Sequence, residues 1–330
     1  MASAGGRPSP NASARATTSG GCNAGCQRAG WRRSLAASRA AFPGSRRELE
    51  GLAVGLEQPL EAVLLWNCRG DLAPTGPEGC SSMAVKGRGR CWLAHNEDGD
   101  PALRDACFAL DATPDDGPAF FTFRYPGSLP GHTLAMNAVG LAYTVNNLRL
   151  TEHPPGIPRM VSARALLGCS KVDEALRLLD GLARSGGFHF MMADTTTLSP
   201  LSVEAPFQCI SARTASPVAV HANHLVHPDC RDLPQRVTAS SAARQQQLEG
   251  WCAQTDPGDV PTALLSILGD QGDPWLPIHR TDPEDPDREN TLATVVFTLQ
   301  HGGITAELRP SPQARVAVQR RFPTSAASDG

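Results

Sequence analysis

Residues 79–99 read GCSSMAVKGRGRCWLAHNEDG, and this stretch decides the fold. Ser81–Lys86 and Cys91–Asn96 are short runs of strand character set close together. Cys80 stands between the first run and a breaker-rich loop, Asp71–Gly79, that carries Pro74, Gly76, Pro77 and Gly79. The polar block His95-Asn96-Glu97-Asp98 closes the second run. One hairpin after Cys80, Asp98 is expected to fold back beside it.

Working outward, Ala106–Leu110 and Pro118–Tyr125 continue the strand pattern. Gly131–Asn137 and Gly140–Asn146 read as a hairpin around Ala138-Val139. Helices follow at Arg159–Leu167 and Val172–Ala183, the second with Ala175, Leu176 and Leu179 on one side. Phe188–Ala193, Leu201–Glu204 and Val218–His221 return to strand character. Val237–Trp251 and Thr262–Leu268 read as helices, and Thr291–Leu299 with Ile304–Leu308 as a last hairpin. Upstream, Arg47–Val54 and the residues after Pro59 have helical spacing. Strands, then helices, then strands predict a mixed α+β domain, with no Gly-rich βαβ phosphate loop. The expected division is a leader-like segment 1–30, a helical part 31–79, a core 80–309 and a flexible tail 310–330.

Composition narrows the function. Lys and Arg number 30 against 33 Asp and Glu, a net charge of −3, which argues against a nucleic-acid binder. No run approaches the roughly 18 apolar residues that cross a membrane. Residues 1–47 hold eight Arg and no acid, a pattern shared by transit peptides and by flexible basic leaders. The ten cysteines form no dense disulfide framework, and no apolar secretory core opens the chain. A cytoplasmic setting, with most thiols acting as small buried hydrophobes, is the resulting expectation.

Chemistry is carried by few residues. A Gly-Cys pair is ordinarily packing; here Gly79 also frees the backbone ahead of a potential nucleophile. A carboxylate at Asp98 would orient a catalytic amine. The spacing of His221, His224 and His227, with Asp229 and Cys230 nearby, invites zinc, as does the pair Cys22 and Cys26. Against zinc stand the Val-rich strand that enters the His segment and the Pro228 that ends it. A metal-binding scaffold nonetheless remains the alternative to an enzyme.

Gly79-Cys80-Ser81-Ser82, Asn96-Glu97-Asp98, Gly140-Leu141-Ala142 leading to Asn146, and Ala222-Asn223-His224 occur in a fixed order. As an ordered set they resemble the peptidase C45 family, the acyl-coenzyme A:isopenicillin N (6-aminopenicillanic acid) acyltransferases among the N-terminal-nucleophile hydrolases. The resemblance runs from about Arg47 to Leu308. It implies a four-layer αββα sandwich with two stacked, mainly antiparallel sheets. It further implies self-cleavage between Gly79 and Cys80, two fragments that stay associated, and a Cys80 thioester formed with a small-molecule amide or acyl donor. The thioester would pass to water or to an amine acceptor, with no cofactor and no metal. The catalytic set would be Cys80, Asp98 and Asn223, with Asn146, His95 and His224 binding the oxyanion or the substrate.

Overall fold

The alternation read in 79–99 is realised as an antiparallel hairpin of β1 (Glu78–Lys86) and β2 (Arg90–Gly99), in which Gly79 lies opposite Asp98 and Cys80 opposite Glu97. The structure, a computed structural model, describes residues 33, 34, 37, 40–72, 78–252, 259–282 and 284–324. Helices α1 (Pro43–Gly55), α2 (Leu60–Asn67) and the single turn α3 (Arg69–Leu72) precede the hairpin. After a 3-10 turn at Pro101–Ala106 come β3 (Phe108–Ala112), β4 (Phe120–Arg124), β5 (Leu134–Asn137) and β6 (Leu141–Asn147). Helices α4 (Arg159–Leu166) and α5 (Val172–Asp180) lead to β7 (Phe188–Asp194), β8 (Leu201–Ala205), β9 (Ser211–Thr214) and β10 (Val218–His221). Helices α6 (Ala239–Cys252) and α7 (Val260–Leu268) then give way to β11 (Asn290–Gln300), β12 (Gly303–Arg309) and β13 (Val318–Pro323).

Among the described residues the strands form two sheets, six strands in the order β10-β1-β2-β11-β12-β13 and seven in the order β3 through β9. Every pairing between these strands is antiparallel. Period-two alternation sorts each strand's side chains to two faces. Leu93, Val295 and Phe297 of the first sheet meet Phe121, Phe123, Met136 and Met191 of the second in a shared inner layer. Trp92, Ala94 and Val296 point the other way and pack under Leu248 of α6 and Leu264, Ile267 and Leu268 of α7. On the far side, Tyr143, Val145 and Phe190 pack against Met160 and Ala163 of α4 and Val172, Ala175 and Leu179 of α5. The result is the expected α+β architecture, an αββα sandwich of four layers. Leu49 and Ala53 of α1 and Val63 and Leu64 of α2 close over Leu129, Ile157 and Val161.

Helix α5 shows how the sequence selects its element. Val172, Ala175 and Leu179 make one apolar stripe, and Asp173 and Glu174 favour the positive amino-terminal end. In α7, Pro261 occupies the first turn, where its missing N–H costs no hydrogen bond.

Three readings need correction. The segment expected to be a flexible tail from 310 onward contributes β13, paired along β12 from Gly303 opposite Pro323 to Leu308 opposite Val318. Phe322, buried against the inner layer, anchors it. Strand β9 was hidden by its polar composition and forms by pairing with β8. Cys209 and Cys230 are joined in a disulfide that the cysteine spacing did not predict. The other described cysteines, Cys68, Cys80, Cys91, Cys107, Cys169 and Cys252, are free and buried or half-buried, as small apolar residues would be. The leader-like segment 1–30, with Cys22 and Cys26, lies outside the described residues. No helix among the described residues is long and apolar enough to cross a membrane.

Phe297 is fully buried between the sheets. Phe297→Ala is expected to lower unfolding stability by about 3–5 kcal/mol, read by chemical denaturation. A loss below about 1 kcal/mol would contradict the packing of the inner layer.

Candidate active site

Cys80 sits near the start of β1, buried, with its thiol on the inner face beside Glu97. Its backbone N–H donates to Asn223 Oδ1 at 2.9 Å. The ladder explains that contact. Strand β10 pairs with β1 only as far as Ser82 opposite His221. Two residues later the side chain of Asn223 replaces the missing backbone partner. Asn223 is itself held, its N–H donating to Ser241 Oγ at 2.9 Å and its Nδ2 to the Asn147 carbonyl at 3.1 Å. From α6, Arg244 donates to the Cys80 carbonyl, to Ser81 Oγ at 3.1 Å and to Asn223 Oδ1 at 2.7 Å. Nothing in the linear sequence marked Arg244.

Asp98 lies beside Gly79, but its carboxylate belongs to the helix-side face, not to the face of the thiol. Oδ1 accepts from Thr291 Oγ1 at 2.7 Å, and Oδ2 has no hydrogen-bond partner among the described residues. Burial pushes the Cys80 thiol well above its usual range, and the Asp98 charge and any ionisation of Glu97 push the same way. The Asp98 amide and Arg244 oppose them.

On the inner face a polar chain runs away from the sulfur. Cys80 Sγ is 3.5 Å from Glu97 Oε2, which is 3.0 Å from His95 Nε2. Tyr125 donates to Glu97 Oε1 at 2.6 Å. His95 Nδ1 is 2.8 Å from Ser82 Oγ, which donates to Asn146 Oδ1 at 2.6 Å. Thus His95 contacts Ser82 and Glu97, and Asn146 engages the network through its side chain. His224 stands apart, bonded to Ser241 Oγ at 2.8 Å. Glu97 was quoted in the sequence without a role. The alternation Cys91, Leu93, His95, Glu97 was the available signal, because it carries Glu97 to the face of Cys80.

The zinc reading of the histidine triplet does not survive. His221 pairs with Glu204 at 3.0 Å, His227 contacts Ser202 and Ser211, and His224 faces Ser241. Among the described residues, Cys80, His95 and Glu97 are the group whose potential ligand atoms lie within 4.8 Å of one another. Hydrogen bonds through the single atom Glu97 Oε2 account for both of its short contacts.

The residues ahead of Cys80 are clamped. The Glu78 carboxylate meets Arg69 Nε at 2.7 Å and also Arg159, and its carbonyl accepts from Arg149 at 3.2 Å and Asn147 Nδ2 at 3.3 Å. Burial alone would raise the Glu78 pKa; Arg69 and Arg159 outweigh it and hold it down to about 2. Gly79 is required by space, since a Cβ there would lie 2.1 Å from Glu289 Oε2. Glu289 is fixed between Arg149, at 2.7 Å, and Arg280.

The model of the acyl-coenzyme A:6-aminopenicillanic acid acyl-transferase family matches residues 85–310, a span that includes Asp98 and Asn223. The chain belongs to this family. A stretch of 167 residues is 30% identical to the beta-alanyl-dopamine/carcinine hydrolase of Drosophila melanogaster. That stretch covers 44% of this chain and 43% of the relative, so the chain spans under half of that protein. Among solved structures, the Caenorhabditis elegans ortholog of N-acylethanolamine-hydrolyzing acid amidase aligns at TM-score 0.46 and 10% identity, over 66% of this chain and 92% of that one. An Anbu mutant from Hyphomicrobium aligns at TM-score 0.24 and 9% identity, over 75% and 89%.

The Glu78 clamp has a pH signature. Its folded pKa, about 2, lies below the ordinary 4.5, so the stability it contributes is present above 4.5 and lost as pH falls toward 2. In a Cys80→Ala chain, Glu78→Gln is expected to lower the melting temperature most above pH 4.5. The gap should close under acid, and a gap constant with pH would show that the ion pair contributes nothing.

Proposed function

We propose that the chain cleaves itself between Gly79 and Cys80 and then acts as an N-terminal-cysteine amidohydrolase or acyltransferase. The observation that carries this reading is the setting of the Gly79–Cys80 junction. Cys80 N–H and Asn223 Oδ1 are bonded, and Arg244 grips both the Cys80 carbonyl and Asn223. The preceding Glu78 is locked by guanidinium groups on both its carboxylate and its carbonyl. A junction held on both sides meets the positioning requirement of an intramolecular attack.

In the cleavage step the Cys80 thiolate attacks the Gly79 carbonyl carbon. A C–S bond forms, the C–N bond breaks, and the nitrogen takes a proton. Water then hydrolyses the thioester and leaves a Gly79 carboxylate and a free Cys80 amine. Such an amine has a pKa of about 7.7–8.0, so it exchanges protons near neutral pH. Asn223 Oδ1 already receives an N–H from that nitrogen and would orient it. One Nδ2 proton of Asn223 goes to Asn147, leaving the second for an oxyanion. A donor of that kind is worth about 2.7–4 kcal/mol in the transition state. Asp98, with an oxygen to spare, supplies negative charge near the new ammonium.

The substrate is a small-molecule amide or acyl donor, with an amine as a possible second acceptor of the thioester. The relative's name makes beta-alanyl amides the first panel to assay. The fragments are expected to stay together, because α1 and α2 of the leading piece bury Leu49, Val63 and Leu64 against Leu129 and Val161 of the following one.

Intact-mass analysis of purified wild type is expected to give two fragments meeting at Gly79/Cys80, and Cys80→Ala a single chain. An active wild type of undivided mass would overturn the reading. So would full cleavage of the Cys80→Ala protein.

A further inference from the structure

In the uncleaved chain the Cys80 nitrogen is an amide and holds no lone pair for a proton. Self-cleavage therefore needs another acceptor for the thiol proton, and the buried chain on the inner face identifies one. This inference rests on the self-cleavage reading above.

Hydrogen-bond arithmetic fixes the proton positions. Asn146 Nδ2 donates to the His221 carbonyl at 3.1 Å, which turns its Oδ1 toward Ser82 and His189. Oδ1 can only accept, so the single hydroxyl proton of Ser82 is committed to it. Ser82 Oγ must then accept from His95 Nδ1 and from Thr144, each at 2.8 Å. With its ring proton on Nδ1, neutral His95 presents a lone pair at Nε2. Glu97 Oε2 faces that lone pair at 3.0 Å and must carry a proton. Burial pushes in the same direction, raising the Glu97 carboxyl well above its usual range and lowering His95 to about 3. Cys80 Sγ lies 3.5 Å from this same Oε2. The line S–H, Oε2–H, Nε2 is a ready relay.

We propose that Glu97 and His95 together are the proton acceptor for self-cleavage. The thiol S–H bond breaks as an O–H bond forms on Glu97 Oε2. The proton already on Oε2 passes to His95 Nε2. Thiolate and imidazolium result, and Glu97 ends as the acid it began. As the C–N bond breaks, one proton returns by the same relay and completes the departing Cys80 amine, so His95 is again neutral. Tyr125 steadies Glu97 through Oε1, and the Asp98 charge favours the transient imidazolium. An ion pair made in a buried layer is costly, which suits an event that occurs once per molecule. Afterwards the liberated α-amine replaces the relay as base.

The test follows self-cleavage of freshly translated full-length chain by intact mass across pH. Wild type is expected to show a shallow pH dependence. Glu97→Gln keeps the shape of the side chain but cannot take the thiol proton. At pH 7 it should cleave about 10²–10⁴-fold more slowly. Its rate should rise about tenfold per pH unit, as solvent hydroxide becomes the base, and approach wild type under alkaline conditions. His95→Asn, which can still donate to Ser82 but has no Nε2, should behave the same way and carries the test if the first variant does not fold. Other titratable groups that interact with Glu97 are Tyr125, Glu78 and Cys107, with Asp98 acting from the opposite face, and all are intact in both variants. Wild-type speed at pH 7 in either folded variant overturns the proposal, as does a slow rate with wild-type pH dependence. An uncleaved wild type overturns the self-cleavage reading together with it.

Discussion

The site depends on the register of one hairpin. Cys80 is opposite Glu97, and Gly79 is opposite Asp98. Because strand side chains alternate, that register sends Cys80, Ser82, His95 and Glu97 into the space between the sheets. Ser81, Asn96 and Asp98 go toward the helices. A shift of one residue would exchange the two sets and bury the wrong one. The register is secured from three sides. Trp92 and Ala94 pack under α7, Leu93 packs in the inner layer, and β11 pairs along the whole of β2.

The two faces at the hairpin's end have opposite electrostatic characters. Toward the helices stand Arg244, Arg280, Asp98 and Glu289, with Arg280 paired to Glu289 and the Asp98 charge acting on both arginines. Between the sheets stand a thiol, a carboxyl and an imidazole, all driven toward neutral forms by burial. The backbone of residues 78–80 separates the two. A reaction at the Gly79 carbonyl would therefore have fixed charge on one side, to hold geometry, and movable protons on the other. This division gives a physical reason for Gly79 beyond backbone freedom, since any side chain there would displace Glu289 from Arg149 and Arg280.

Membership of the acyl-transferase family rests on residues 85–310. The network from Cys80 to Asn146 is a feature of the fold itself. It includes Ser82 and His95 as well as Glu97, and all are fully or almost fully buried. Buried polar chains of this kind are tolerated only when each donor has an acceptor, and here they do.

The sequence by itself determined the α+β class, most strand and helix positions, and the ordered motifs around Cys80, Asp98 and Asn223. These are local properties: period two in β1 and β2, period 3.6 in α5, and residue identity at a few points. It also contained the evidence for Glu97, since alternation from Cys91 onward puts it on the thiol's side. What it did not contain was long-range proximity. Arg244 reaches Cys80 across 164 residues, and Glu289 reaches Arg149 across 140. The polar strand β9 and the last strand β13 exist because neighbouring strands offer unpaired edges, not because of their own composition. The His221, His224 and His227 spacing looked like a metal site, and folding gave each ring a different partner. Pattern reports which face a residue occupies; only the packed sheets decide what that face meets, because contact between distant segments is set by tertiary burial and not by spacing along the chain.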